Sequence, residues 1–352
     1  MAITLSSLRD LGALRFDEII DVRTPAEFAD DRLPGAVNLP VLGDAERARV
    51  GTVYKQIAPF EARKIGAALI ARNVARHLEG PLAARPGGWR PLLYCWRGGQ
   101  RSGSMAVILS QIGWRAEIVT GGYKSWRNLV VRELETVPAS PVILLDGNTG
   151  SAKTELLHLL AARGTQIIDL EGLANHRGSL FGSSGEQPSQ RMFEGRLAHA
   201  LAALDPKRPV VIEAESAAIG HCRLPARLWR AMMAAPRIEL QVPAGERARY
   251  LVSAYRDLTL DTARLSATLD QLRPYHATER IMGWHALLQR GDYTGFCEGL
   301  MAAHYDPRYA KHRARSAVRR EVLAVDSLDP AGLATAADRI TALVQRGIGA
   351  GR

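Results

Sequence analysis

Cysteine is scarce in this chain of 352 residues: only Cys95, Cys222 and Cys297 occur, and no two are close in sequence. That excludes a CxxC metal site and a disulfide framework, and it fits a reducing compartment in which Cys95 stays a thiol. Also missing is an apolar run of membrane-spanning length, and residues 1–15 lack the pattern of a signal peptide. The expectation is a soluble cytoplasmic protein. No basic tail stands out either. The net charge is +10, and residues 1–140 carry half of it, with 19 basic against 14 acidic residues. So positive a chain tends to bind polyanions. An arginine-rich, lysine-poor composition also follows from a GC-rich genome, so charge admits a nucleic-acid partner without establishing one.

What is present begins with Leu92-Leu93-Tyr94-Cys95-Trp96-Arg97-Gly98-Gly99-Gln100-Arg101-Ser102. The apolar run from Pro91 to Tyr94 predicts a buried strand. It ends on a cysteine, followed by a Gly-Gly turn carrying Arg97 and Arg101, and Ser104 to Ile112 predicts a helix. A thiol at a strand end, before a helix N-terminus and between two arginines, should have a depressed pKa. Backbone N–H groups of such a loop can ring an anion. Cys95 is therefore the candidate nucleophile for an anionic substrate, with Arg97 and Arg101 beside it. The Cys-x5-Arg spacing suits a phosphate-sized anion, which keeps in view both a protein phosphatase and a chalcogen donor that is itself a phosphate.

The length predicts two domains, and 47% hydrophobic residues suffice for two cores. In residues 1–136, strands at Ile19–Arg23, near Pro34–Pro40, at the cysteine and at Glu117–Thr120 alternate with helical stretches, including Asp44 to Leu78. That alternation predicts a parallel α/β sheet with the cysteine loop at its carboxyl edge. Asp21-Val22-Arg23-x-Pro25-x-Glu27-Phe28, Pro34-Gly35-Ala36-x-Asn38, Cys95 and Gly121-Gly122-Tyr123 together resemble a rhodanese domain. The resemblance implies that Cys95 carries a chalcogen. Asp21 and Arg23 read as a buried pair bracing the loop.

Residues 141–352 predict a second α/β unit, doubly wound and P-loop NTPase-like, with a helical insertion. A strand at Val142–Leu145 precedes Gly147-Asn148-Thr149-Gly150-Ser151-Ala152-Lys153-Thr154 and an apolar helix. Strand, glycine loop and helix are the context a Walker A motif needs, its N–H groups and lysine cradling a diphosphate. Ala152 stands where the strict pattern has its second glycine. The strand that usually supplies a metal-binding Asp carries Glu213 and Glu215, either to hold Mg²⁺ through water or to pair with arginines. His176 and Arg177, in a glycine-rich loop, are candidates for an anion or for the cysteine site. Residues 246–320 read as mostly helical, with core aromatics. The run Arg308, Lys311, Arg313, Arg315, Arg319 and Arg320, free of acids, suits RNA phosphates, with a solvated helix face as the alternative.

Asp169-Leu170-Glu171-x-x-Ala174-x-His176-Arg177-Gly178-Ser179, Glu213-x-Glu215-Ser216 with Ile219-Gly220, and Tyr305-Asp306-Pro307-x-Tyr309 complete the set. With the cysteine loop and the P-loop they resemble the family of bacterial tRNA 2-selenouridine synthases over nearly the whole chain. Departures are Ala152, Ala217 and Ala218. The resemblance implies a tRNA anticodon stem-loop partner carrying 2-thiouridine at the wobble position. It implies geranyl diphosphate and selenophosphate as co-substrates, with no tightly bound cofactor and no DNA or membrane partner; a Mg²⁺ requirement stays open. An ATP-dependent tRNA sulfurtransferase or kinase and a non-catalytic RNA adaptor are the alternatives.

Overall fold

The structure, a computed structural model, describes residues 2–136, 138–177, 179–182, 185–314 and 318–347. The chain divides into two units, 1–136 together with 188–203, and 137–187 together with 204–352. One helix, Gln190–Ala202, thus leaves the span expected for the second unit and joins the first. Ala198 and Ala202 sit in one apolar cluster with Trp126, Leu129 and Val130, and Arg191 pairs with Asp30 at 2.9 Å. Local pattern makes this segment a helix; which core it covers is settled by long-range packing.

The first unit holds strands β1 (Ala2–Ile3), β2 (Glu18–Asp21), β3 (Ala36–Asn38), β4 (Pro91–Tyr94) and β5 (Glu117–Val119). They form an all-parallel sheet in the order β1-β5-β4-β2-β3. β4 is central and buried along its whole length, as its unbroken apolar run requires. The helix after it, Gln100–Ile112, starts four residues before the expected Ser104, so Arg101 and Ser102 lie in its first turn. The long helical stretch after β3 is two helices, Asp44–Gln56 and Pro59–Glu79, and Pro59 opens the second at a position that needs no N–H.

The second unit holds β6 (Val142–Gly147), β7 (Gln166–Ile168), β8 (Val210–Glu213), a small antiparallel pair β9 (Ala218–Ile219) and β10 (Cys222–Arg223), β11 (Arg237–Gln241) and β12 (Arg320–Ala324). Its parallel sheet runs β12-β11-β6-β8-β7. Between β11 and β12 lies the helical insertion, with its own apolar cluster of Leu265, Leu269, Ile281, Trp284, Phe296 and Leu300. β12 begins at Arg320, so the basic run ends in a strand and not in a helix.

Candidate active sites

β4 ends on Tyr94, which delivers Cys95 to the carboxyl edge of the sheet, where such folds bind ligands. The loop is locked from the far side: Tyr123 N donates to Cys95 O (2.8 Å) and Lys124 N to Trp96 O (3.0 Å). Gly122 permits that approach. Its φ is +58°, and a Cβ there would stand 2.2 Å from Cys95 O. Gly98, at φ +64°, is confined in the same way by Val119 O at 2.7 Å. The Gly-Gly turn after the cysteine and the Gly121-Gly122-Tyr123 motif are two halves of one joint.

Cys95 is buried, and its Sγ accepts from Gly99 N and Ser102 Oγ, both at 3.2 Å. Burial pushes the thiol up. The Ser102 hydroxyl and the N–H groups of Ser102, Arg97 and Gly99 outweigh it, so the pKa lies below the ordinary value. The direction matches the sequence reading, but the cause differs. Arg101 turns to Glu27, with Nη1 2.6 Å from Oε2, and Arg97 is exposed. Helix N-terminal donors, not guanidinium charges, hold the sulfur. Beneath the loop, Arg23 and Asp21 form the expected buried pair at 2.6 Å, and Tyr94 Oη donates to Asp21 Oδ2 (2.7 Å). A cavity of about 730 Å³ opens beside the sulfur, bounded by Cys95, Trp96 and Arg97 and by the helices Asp44–Gln56 and Pro59–Glu79.

In the second unit, residues 147–154 link β6 to the helix Lys153–Ala162. Gly150 has φ +84°, and a Cβ would meet Arg247 O at 2.9 Å. Ala152 keeps a glycine-like conformation, φ +55° and ψ +32°, at a cost of about 1–2 kcal/mol. Lys153 Nζ donates to Gly147 O at 3.1 Å. Burial opposes its charge, but Tyr309, Glu215, Glu171 and Glu213 outweigh burial and hold its pKa above the usual lysine value. A pocket of about 480 Å³ surrounds the loop, and Glu171, His176, Arg177, Glu215, Tyr255 and Tyr309 are in its wall.

The carboxylates in and behind that wall are linked. Thr154 Oγ1 donates to Glu171 Oε2 (2.7 Å) and Glu171 N to Glu213 Oε1 (2.7 Å). Burial, then Glu171 and Glu215, raise Glu213 well above its ordinary value; burial, then Glu171, raise Glu215 to about 7. Among the described residues no three His, Cys, Asp or Glu side chains are grouped to hold a metal ion. The P-loop threonine, which holds Mg²⁺ in nucleotide-hydrolysing relatives of this fold, here faces a carboxylate. His176 has its pKa lowered by burial and by His221, and the Arg177 guanidinium lies 4.8 Å from the Tyr255 ring centroid.

One contributor to this site escaped the sequence reading. Buried Arg247 donates to Thr149 O (3.1 Å) and grips Asp306 with both terminal nitrogens (2.9 and 2.7 Å). Tyr305-Asp306-Pro307-x-Tyr309, whose spacing alone suggested no role, is thereby seated on the P-loop, with Lys153 Nζ 5.8 Å from the Tyr309 ring centroid. The basic run divides. Arg308, Lys311, Arg319 and Arg320 are exposed. Arg313 instead turns inward, bonding Asn148 Oδ1 and lying 3.3 Å from Glu239, and Arg320 reaches Glu239 at 3.5 Å. Arg315 lies outside the described residues. Arg313 thus braces the P-loop edge through Asn148 and Glu239.

Comparisons with known proteins agree with both units. Residues 4–129 match the rhodanese-like domain, and residues 140–282 match a domain described as the tRNA 2-selenouridine synthase AAA domain. A tRNA 2-selenouridine synthase of Chromohalobacter salexigens is 36% identical over 83% of this chain and 86% of its own. One from Pseudomonas syringae is 33% identical over 89% and 93%, and one from Aeromonas salmonicida 39% over 70% and 67%. Among the described residues no helix is long and apolar enough to cross a membrane.

Proposed function

The chain belongs to the tRNA 2-selenouridine synthase family, and from that premise we propose that its two units divide one conversion, wobble 2-thiouridine to 2-selenouridine in tRNA. In the second unit the thiouridine sulfur attacks the first carbon of geranyl diphosphate. Diphosphate leaves into the P-loop cradle, and the N3 proton of the base is lost. In the first unit the Cys95 thiolate attacks carbon 2 of the base and expels geranylthiol, which takes up a proton; selenophosphate then displaces Cys95 through its selenium, and water cleaves the Se–P bond to release phosphate and leave 2-selenouridine. Alkylation matters because a thioether is a better leaving group than a thiocarbonyl sulfur. The anticodon stem-loop is the part of the tRNA engaged.

One observation carries this reading. The polar P-loop pocket shares Thr149, Leu251, Tyr255 and Tyr305 with an apolar slot walled by Phe181, Leu258, Leu265, Phe296 and Leu300. A cradle for two phosphates joined to a hydrocarbon slot fits a prenyl diphosphate better than a nucleotide. The slot holds about 60 Å³, so a ten-carbon chain also uses part of the 480 Å³ pocket. Each buried methylene adds about 0.8 kcal/mol. Calorimetry tests this. Geranyl diphosphate should bind well above inorganic diphosphate; Lys153→Ala should weaken both, and Phe296→Asp only the first. Equal affinity of the two ligands for the wild type, or tighter binding of ATP with turnover, would overturn the assignment in favour of a nucleotide-driven sulfurtransferase.

A further inference from the structure

The cavity beside Cys95 is larger and more positive than a phosphate-sized donor needs. At about 730 Å³ it lies within the range of pockets that hold whole drug-sized molecules, roughly 300–1,000 Å³. Five basic residues line it: Arg47, Lys55, Arg63, Arg97 and Arg101. No acidic residue does, and only Arg101 has an ion-pair partner among the described residues. Three of these cations come from the two helices inserted between β3 and β4, not from the loop that cradles the sulfur. All four unpaired cations are exposed.

The same helices supply the hydrophobic element. Tyr54 lines the cavity with 54% of its surface exposed, an aromatic face with no burial to account for it. Gly51, one turn earlier on its helix, and Gly66 on the facing helix keep the wall thin, and a Cβ on Gly51 would stand 3.1 Å from the Arg47 guanidinium. Cations spaced around an exposed ring form the arrangement that takes single-stranded RNA, phosphates on the charges and an unstacked base on the ring. Cys95 lines the cavity and is itself buried, so a base must leave its stack to reach it.

We infer that this cavity admits one flipped nucleotide of the RNA substrate, with Tyr54 as its stacking platform and Arg47, Lys55, Arg63 and Arg97 holding the adjoining phosphates. The inference rests on the proposed role of Cys95 as nucleophile toward the base and of the anticodon loop as partner. It adds an RNA-reading surface on the first unit, separate from the basic run Arg308 to Arg320.

The test uses full-length protein and a 2-thiouridine anticodon stem-loop, read by its affinity over a salt series and by its protection of Cys95 from iodoacetamide. The wild type should bind and be protected. Arg47→Ala/Lys55→Ala/Arg63→Ala should flatten the log–log salt slope by up to roughly 0.7 for each phosphate no longer neutralised, about two in all. Tyr54→Ala should weaken binding roughly 5- to 150-fold, and Tyr54→Trp should restore it. Melting curves check that each variant is folded. Inorganic phosphate is the second probe. If phosphate protects Cys95 as fully as RNA does and the triple variant loses only that protection, the cavity is a small-anion site and the inference is overturned. It is equally overturned if both variants keep wild-type RNA affinity and protection. A wild type that binds no stem-loop at all would instead overturn the proposed function on which the inference stands.

Discussion

Ser102 Oγ stands 3.2 Å from Cys95 Sγ and donates to it, from the first turn of the helix that follows the cysteine loop. That hydroxyl is the foremost of the groups that counter burial at the thiol. Ser102→Ala should raise the Cys95 pKa. The pH profile of alkylation by iodoacetamide measures this, and its midpoint should move to higher pH. Arg101→Ala should move it much less, because Arg101 is engaged by Glu27. The reverse order would restore the arginine account.

Cys95→Ser should abolish selenium incorporation while S-geranylation of 2-thiouridine continues, because the P-loop pocket belongs to the other unit. Mass spectrometry of the wobble nucleoside distinguishes the two products. Loss of both, or of neither, contradicts the division of labour.

Ala152→Gly should stabilise the protein by up to about 1 kcal/mol, since alanine at φ +55° is strained and glycine is not. The urea midpoint reports it. The opposite change at Gly147 should be harmful, because a Cβ there would stand 2.4 Å from Ser151 Oγ. An unchanged midpoint for Ala152→Gly would mean that the loop relaxes around the methyl group.

Glu215 sets a pH dependence. Burial first, and then Glu171, raise it from 4.5 to about 7. A carboxyl raised on folding favours the folded state while protonated. Its contribution is complete below pH 4.5 and is lost as the pH climbs through 7. Glu215→Gln, always neutral, should lose less stability than the wild type across that window. Parallel wild-type and variant curves of urea midpoint against pH would show that the carboxyl titrates as it does in the unfolded chain.

Asp306→Ala should strip buried Arg247 of its partner and release its hold on Thr149. The expected result is weaker geranyl diphosphate binding together with a stability loss of up to about 3 kcal/mol, the low end for breaking a buried pair because Asp306 is 27% exposed. Asp306→Asn, which still accepts one hydrogen bond, should recover part of the binding. Calorimetry that finds binding intact in Asp306→Ala would confine the pair to a structural role.

What the sequence determined by itself is what local chemistry encodes. The apolar run ending on Cys95 and the run Val142–Leu145 ahead of Gly147 marked the two strands that carry the sites, because a parallel strand is buried on both faces and its loop opens at the carboxyl edge. Gly98 was legible as a turn, and Lys153 as the cation of a phosphate loop. The tertiary structure alone decided which partner each charge meets. Arg101 and Arg313 look like anion-binding residues in the chain, yet Glu27 lies 74 residues from Arg101, and Asn148 and Glu239 are 165 and 74 residues from Arg313. Arg247 reaches Thr149 across 98 residues. Helix Gln190–Ala202 joins the first core although the P-loop motif precedes it in the chain. Backbone conformation follows from residue type within a few positions, whereas the pairing of long flexible cations depends on which elements the fold sets side by side.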